Sequence, residues 1–342
     1  MNFRSDNVAG IAPAILQAII AANDGRAPAY GSDALSQALE DRVARIFEHD
    51  VAVFPVATGT AANALALASA TPPWGAIYCH AESHIAQDEC GAPEFYTGGA
   101  KLVPIEGAHG KITAAAIAAK LAPTSTVHQA QPAAISLTEA SEAGTLYRPA
   151  EIAEIAALAR ARGLVLHMDG ARFANAVAAL QASPAELTWR AGVDILSLGA
   201  TKNGALAAEA VIVFDRAKAA DLGFRRKRGG HLFSKMRFLS AQLDAYLRDD
   251  LWLDNARHAN AMAARLAAGL HGMKGVRLCH PVEANEVFVE MPEPVAASLE
   301  AQGFGFYRWS EGPRPELRFV AAFDTKPADI DALLEAVRAG PA

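Results

Sequence analysis

Residues 164–172, LVLHMDGAR, carry the pattern that decides the fold: a largely apolar run that ends in an aspartate, a glycine and an alanine before an arginine. The run 164–169 predicts a buried strand, because apolar-rich runs are typical of strands covered on both faces. A helical pattern over 149–161 precedes this run. Strands that alternate with helices indicate a mostly parallel sheet. Asp169 would then project at the carboxyl end of that sheet, where open α/β folds bind ligands.

The same alternation extends to both sides of this stretch. Helices are expected to begin at Pro13, after Asp33 and at Ala61, and the second of them to end at about Phe47. Strand candidates lie at 51–56, 133–137, 194–198 and 210–214. The first two thirds of the chain therefore predict an α/β unit with a mostly parallel central sheet.

The pattern changes after about residue 220. A long helical pattern over 235–270, broken near 249–250, is followed by strand candidates at 275–279, 285–291, 304–309 and 317–321. This order predicts a smaller α/β domain with partly antiparallel strands. We therefore expect a large domain over residues 1–245, in which segment 1–12 contributes to the active site, and a small C-terminal domain over 246–342.

The composition narrows the class of protein. The 342 residues are 52% hydrophobic and carry a formal net charge of −6, which predicts a folded chain with a large core and argues against a nucleic-acid binder. Three cysteines without a CxxC pair favour a reducing cytosol over a disulfide framework. No secretory signal, membrane span or metal-ligand spacing is recognised, so we expect a soluble cytoplasmic protein without a metal site.

A lysine among small residues follows the next strand candidate along the chain. Lys202 lies in residues 197–204, SLGATKNG. Lysines are usually surface groups, and one at the end of a core strand suggests nucleophilic work such as a Schiff base. Read alone, the segment fits an ordinary exposed loop lysine equally well. Asp169, read alone, is more often a helix N-cap.

Two further segments carry chemistry that suits a cofactor. Thr58, Gly59 and Thr60 precede an Ala/Leu-rich helix and could cradle a phosphate at its N-terminus, although they also suit a plain N-cap. A phosphate cradle, a carboxylate and a lysine, each following a strand, are what pyridoxal phosphate requires. His84 offers a group for the face of the ring.

With these motifs the chain resembles the low-specificity L-threonine aldolases of the β-eliminating lyase superfamily, which have the PLP-dependent transferase fold type I. The segment 201–204, TKNG, which contains Lys202, and the run 89–93, ECGAP, are especially similar to the phenylserine aldolase branch. We call residues 201–204 the lysine turn. Residues 138–142, TEASE, stand where many members have Glu-Asn-Thr-His-Asn, a difference that bears on the substrate's side chain. The matching stretches are 5–7 (SDN), 30–33 (YGSD), 58–63 (TGTAAN), 83–84 (SH), 89–92 (ECGA), 167–172 (HMDGAR) and 201–202 (TK).

The resemblance implies roles for individual residues toward pyridoxal 5'-phosphate. Lys202 would hold the cofactor covalently, Asp169 would pair with the pyridine nitrogen, and His84 would stack on the ring. The other cofactor-binding residues it implies are Thr58, Gly59, Thr60 and Arg172, with Arg237 reaching the phosphate of a neighbouring subunit.

The resemblance also implies how an amino-acid substrate is held and cleaved. Its carboxylate would be bound by Ser5, Arg172 and Arg318, and Tyr30 would contribute to the same site. His84 is the leading candidate for the base near the β-hydroxyl group, and His128 is the second. Family members are oligomers, so a homodimer or homotetramer is expected.

The reaction implied is cleavage of an L-β-hydroxy-α-amino acid, such as L-threonine, L-allo-threonine or L-phenylserine, to glycine and an aldehyde. One alternative is another enzyme of the superfamily, such as a lyase that releases pyruvate and ammonia or an aminotransferase-like protein. Another is a non-catalytic protein of the same fold that binds a partner, for example through the basic cluster 225–228. Basic clusters of this kind are more often exposed to solvent or part of an interface between subunits.

Overall fold

In the computed structural model, which describes residues 1–121 and 126–340, the chain forms one seven-stranded and one four-stranded β-sheet. The larger sheet has the order β1-β7-β6-β5-β4-β2-β3, and β7 alone runs antiparallel to its neighbours. Its strands are β1 (Ala52–Val56), β2 (Gly75–His80), β3 (Lys101–Ile105), β4 (Gln131–Thr138), β5 (Val165–Gly170), β6 (Ile195–Gly199) and β7 (Glu209–Val213).

The smaller sheet is antiparallel throughout, in the order β10-β11-β9-β8. It follows the larger sheet in sequence, as the pattern after residue 220 predicts. The mostly parallel large sheet and the smaller C-terminal α/β unit confirm the expected fold class. The strands are β8 (Arg277–Leu278), β9 (Glu286–Glu290), β10 (Tyr307–Arg308) and β11 (Glu316–Val320).

The helices begin and end close to where the sequence places them. The 3-10 turn Arg248–Asp250 interrupts the long helical segment between α10 and α11, near the position expected from the sequence. The helices are α1 (Pro13–Ala22), α2 (Ala34–Phe47), α3 (Gly59–Ala70), α4 (His84–Gln87), α5 (Ala92–Thr97), α6 (Ala114–Lys120), α7 (Pro149–Ala161), α8 (Phe173–Leu180), α9 (Leu222–Arg228), α10 (Arg237–Leu247), α11 (Leu251–Leu270), α12 (Glu293–Ala301) and α13 (Pro327–Ala339). None of these described helices combines the length and apolar character needed to cross a bilayer.

Helix α11 connects the two hydrophobic cores. Trp252 and Ala256, near its start, pack in the core of the large sheet. Leu266 and Leu270, near its end, pack in the core of the small sheet. The division of the chain at residues 245 and 246 stays a prediction, because this helix belongs to both cores.

The first residues of the chain run along the small sheet before they reach the large one. The N–H of Phe3 donates to the carbonyl of Gly305 (2.7 Å), and the N–H of Val320 donates to the carbonyl of Phe3 (2.8 Å). The Phe3 side chain is buried against Phe319. This path delivers the 3-10 turn Asp6–Val8 to the carboxyl ends of the central strands.

Phe47, at the end of α2, anchors that helix to the large core. Its ring is fully buried, with centroids 5.9 Å from the Phe173 ring and 5.6 Å from the Phe214 ring. We expect Phe47→Ala to lower the free energy of unfolding by about 3–5 kcal/mol, since it removes a large buried side chain and leaves a cavity. The midpoint of urea unfolding measures this loss.

The control for this prediction is Trp74→Ala, because Trp74 is 67% exposed. That variant should change the free energy of unfolding by no more than about 0.5 kcal/mol. Equal unfolding midpoints for Phe47→Ala and the unaltered protein would contradict the prediction.

Candidate active site

Two adjoining cavities lie at the carboxyl ends of the central strands. The inner cavity, of about 370 Å³, is lined by Gly59, His84, Asp169 and Lys202 among others. The outer cavity, of about 460 Å³, is lined on one side by Arg318 from the small sheet. His84 and Lys202 line both cavities, so the two spaces meet at these side chains. The structure therefore brings together residues that are far apart in the sequence.

Asp169 lies at the end of β5 and is almost fully buried. Its Oδ2 accepts a hydrogen bond from Asn63 Nδ2 (2.8 Å), and its Oδ1 accepts one from the N–H of Ala171 (3.0 Å). The next residue must be small, since a Cβ on Gly170 would lie 2.7 Å from a methyl carbon of Leu196. The aspartate is thus held rigidly where the strand turns toward α8.

A second carboxylate shares the same amide. Asn63 Nδ2 also donates to Glu89 Oε1 (2.9 Å), and this oxygen is 2.9 Å from His84 Nδ1. The hydrogen bond to Glu89 raises the pKa of His84 above its usual value. Asn63 and Glu89 lie in matching stretches, yet sequence reasoning assigned them no role. The available signal was a polar Asn63 inside a helix of alanine and leucine.

Lys202 lies in the 3-10 turn Thr201–Asn203 that follows β6. Within the described residues, its Nζ makes no hydrogen bond or ion pair. The turn is fixed by the Asn203 side chain, whose Nδ2 donates to the hydroxyl of Tyr246 (3.0 Å) and the carbonyl of Trp252 (2.8 Å). The positive charge of Lys202 favours the ionised forms of nearby carboxyls, which belong to Asp6, Glu142, Glu209 and Glu286.

Glu209 is a buried carboxylate that sequence reasoning missed. It begins β7, and its Oε2 accepts a hydrogen bond from the N–H of Ala200 (2.6 Å) just before the lysine turn. Burial raises its pKa to about 7. A glutamate at the start of an apolar strand is usually exposed to solvent, so nothing in the sequence indicated that Glu209 is buried in the site.

The N-terminus of α3 opens into the inner cavity. Thr58 Oγ1 caps the helix by accepting from the N–H of Ala61 (3.1 Å). The N–H groups of Gly59 and Thr60 belong to the first turn and need a partner from outside the helix. A Cβ on Gly59 would have no atom within 4 Å, so space lies in front of the turn. This end of the cavity suits an anion.

Two arginines reach the site, and buried carboxylates hold both of them. Arg172 donates from Nε to Asp6 Oδ2 (2.8 Å) and from Nη2 to Asp6 Oδ1 (3.2 Å), and its Nη1 is 3.4 Å from Glu286. Arg318 Nη1 is 3.7 Å from the other oxygen of Glu286. Ser5 lines the outer cavity beside them. The expected residues for a substrate carboxylate therefore converge, although Asp6 occupies one edge of Arg172.

Aromatic rings cover the Arg318 guanidinium. Its central carbon is 5.1 Å from the ring centroids of both Tyr307 and Trp309. Its Nε has no hydrogen-bond partner among the described residues. Arg318 is therefore oriented by ring contacts, by Glu286 and by the carbonyl of Arg4, which lies 3.4 Å from its Nη2.

Three expected site residues are not brought to these cavities within one chain. His128 lies exposed before the start of β4, whereas the cavities lie where that strand ends, so its expected place near the substrate hydroxyl does not hold in a single chain. Tyr30 is half exposed, and its N–H donates to the carbonyl of Ser234 (2.9 Å). Arg237 Nη1 approaches the carbonyl of Gly25 (3.4 Å).

The inner cavity fits pyridoxal 5'-phosphate. It offers the open first turn of α3 for a phosphate, the carboxylate of Asp169 for a protonated ring nitrogen, and the unpartnered amine of Lys202 for an aldehyde. These three groups differ in chemistry, and each suits one part of the cofactor.

The sequence of this chain is similar to those of known proteins. The family model described as beta-eliminating lyase matches residues 2–294. A low specificity L-threonine aldolase of a Pseudomonas species is 42% identical over 339 residues, which cover 98% of this chain and 97% of that protein. A low specificity L-threonine aldolase from Pseudomonas aeruginosa is 44% identical over 337 residues, which cover 98% of this chain and 96% of that protein.

The fold agrees as well. The solved structure of a Leishmania major threonine aldolase superposes with a TM-score of 0.93 at 28% identity, covering 99% of this chain and 98% of that one. The two Pseudomonas proteins match this chain over nearly its whole length and over nearly their own. This chain therefore belongs to the beta-eliminating lyase family and, within it, to the low-specificity L-threonine aldolases.

Proposed function

We propose that this chain cleaves L-β-hydroxy-α-amino acids of the L-threonine, L-allo-threonine and L-phenylserine type to glycine and an aldehyde. The observation that carries the proposal is the junction of the two cavities at Lys202 and His84, with a cofactor-sized space on one side and Arg318 on the other. The chain is a PLP-dependent lyase, as its family membership shows.

The residues of the inner cavity would hold the cofactor. Lys202 would bind its aldehyde carbon, and the N–H groups of Gly59 and Thr60 would bind its phosphate. Asp169 would keep the pyridine nitrogen protonated by charge and hydrogen bonding, and His84 would face the ring. When bound, pyridoxal phosphate supplies an electron sink for a broken bond at the substrate's Cα.

The residues of the outer cavity would hold the substrate's carboxylate. Arg318 lines this cavity and has a planar fork of donors that matches two carboxylate oxygens. Arg172, held by Asp6 and Glu286, would add positive charge beside the carboxylate, and Ser5 would offer its hydroxyl. A carboxylate held in this way would fix the orientation of the substrate's Cα. That orientation would decide which bond at Cα breaks, and the proposed reaction requires it to be the bond between Cα and Cβ.

We also propose that the protein assembles as a homodimer or homotetramer in the cytoplasm. Phe95 and Phe224 leave 80% and 79% of their surface exposed, which favours a contact with another copy. Tyr30 and Arg237 lie outside the site of their own chain, and in such an assembly they would reach the site of a neighbour. The three cysteines are free thiols, consistent with a reducing compartment.

Product analysis tests the proposed reaction. The purified enzyme loaded with pyridoxal phosphate should release glycine and an aldehyde from L-threonine or L-phenylserine, because the bond between Cα and Cβ breaks. Chromatography of the amino acids and an aldehyde-coupled assay measure the two products. If neither substrate gives glycine, while serine or cysteine gives pyruvate and ammonia, the β-eliminating reaction replaces this one.

The cofactor's attachment site can be located chemically. Borohydride reduction followed by peptide mass spectrometry should place the pyridoxyl mass on the peptide that contains Lys202, since its amine lies free in the inner cavity. Lys202→Ala should lose this label. Labelling of Lys227 or Lys235 in the unaltered protein would refute the assignment.

Arg318 can be tested with a substitution that keeps its charge. Arg318→Lys should raise KM and lower kcat together, by about tenfold or more in kcat/KM, because a single ammonium cannot hold both carboxylate oxygens in one plane. Steady-state kinetics with L-threonine measure both constants.

Arg314→Lys is the matched control for this measurement. Arg314 is an exposed arginine that pairs with Glu290 outside the cavities. Its replacement should leave both constants unchanged. Unchanged constants in Arg318→Lys as well would exclude a role for Arg318 in holding the substrate.

A further inference from the structure

Glu142 stands at the junction of the two cavities. Among the described residues it is the carboxylate that lines both of them. Its Oε1 accepts a hydrogen bond from the N–H of His84 (3.2 Å). Its Oε2 has no hydrogen-bond partner in the described part of the chain. One oxygen is therefore anchored, and the other is available to a ligand.

The other carboxylates of the inner cavity are already engaged. Glu89 binds His84 and Asn63 through one oxygen, and its second oxygen is buried. Asp169 accepts a hydrogen bond on each oxygen. Glu209 is tied to the backbone of the lysine turn. Glu142 is thus the carboxylate best placed to meet a substrate that enters through the outer cavity.

Glu89 holds His84 in place at the junction. His84 Nδ1 faces the buried carboxylate of Glu89 at 2.9 Å, and this contact raises the pKa of the imidazole. The imidazole is proposed to face the cofactor ring, and one of its two nitrogens is already engaged. Glu142 instead lines the outer cavity and offers a carboxylate oxygen without a partner among the described residues.

Building on the proposed function, we infer that Glu142 is the base that takes the proton of the substrate's β-hydroxyl group. The O–H bond breaks as Oε2 gains the proton, and the electron pair of that bond forms the aldehyde's C=O. The bond between Cα and Cβ breaks, and its electron pair stays at Cα. Cα then takes up one proton from solvent, and Glu142 returns its proton to solvent. No oxidant or reductant is needed.

The environment of Glu142 sets the pH range in which it can act. Burial raises the pKa of this carboxyl above its ordinary value, and the positive charge of Lys202 partly offsets that rise. Below the raised pKa the carboxyl is protonated and cannot accept another proton, so kcat should fall on the acid side. The charged groups that face it are Lys202, Asp169, Glu286, Arg172 and His84.

Glu142→Gln tests the inference, because it keeps the shape and removes the basic oxygen. For L-threonine cleavage by the cofactor-loaded enzyme, kcat should fall about 100-fold or more, which is the range of general base catalysis. KM should change little, and the acid limb of the kcat profile should disappear. Binding of glycine, measured by calorimetry, should be unchanged, since glycine has no β-hydroxyl group.

Glu82→Gln is the matched control. Glu82 is an exposed glutamate two residues before His84 and lines neither cavity, so its replacement should leave kcat and glycine binding unchanged. A Glu142→Gln enzyme with the kcat of the unaltered protein would overturn the inference. Loss of glycine binding in parallel with kcat would also overturn it, because it would indicate a structural role. Failure of the unaltered enzyme to release glycine would instead refute the proposed function.

Discussion

The amide of one buried side chain holds the cofactor end of the site together. Asn63 has two hydrogens on Nδ2, and it donates one to Asp169 and the other to Glu89. Through Glu89 the same amide also fixes His84. Hydrogen bonds to charged groups are stronger than neutral ones, and a buried carboxylate that loses its donor is strongly destabilised. The groups proposed for the edge and the face of the ring therefore share one anchor on α3.

The substrate end of the site depends on charge balance between the two sheets. Glu286, on the first residue of β9, lies between Arg172 and Arg318, and Asp6 binds the other edge of Arg172. The large sheet, the small sheet and the N-terminal segment each contribute a member of this cluster. Buried charges of this kind are tolerated only when they are paired. The cluster thus joins the two sheets beside the outer cavity, which both arginines line.

The sequence predicted those strands and site residues that can be recognised from the residues next to them. Asp169 and Lys202 follow buried strands, and the parallel sheet brings the ends of those strands to one edge. Strands β2 and β3 were not anticipated: β2 ends in a histidine, and β3 begins with a lysine and contains a proline, so neither is a plain apolar run. His128 was expected near the substrate from the resemblance, and the structure puts it before β4. The partners of these groups depend on tertiary contacts: Glu89, Glu142 and Glu286 become meaningful only when their neighbours are known.

The pKa of His84 is the most direct test, because it reports the hydrogen bond by which Glu89, itself held by Asn63, fixes the imidazole. Heteronuclear NMR of the histidine ring nitrogens, recorded against pH in the substrate-free enzyme, gives its pKa. The hydrogen bond to Glu89 predicts a pKa above the ordinary value of 6.5 and a fall when Glu89 is replaced by Gln. A pKa at or below 6.5, or no response to Glu89→Gln, would contradict it.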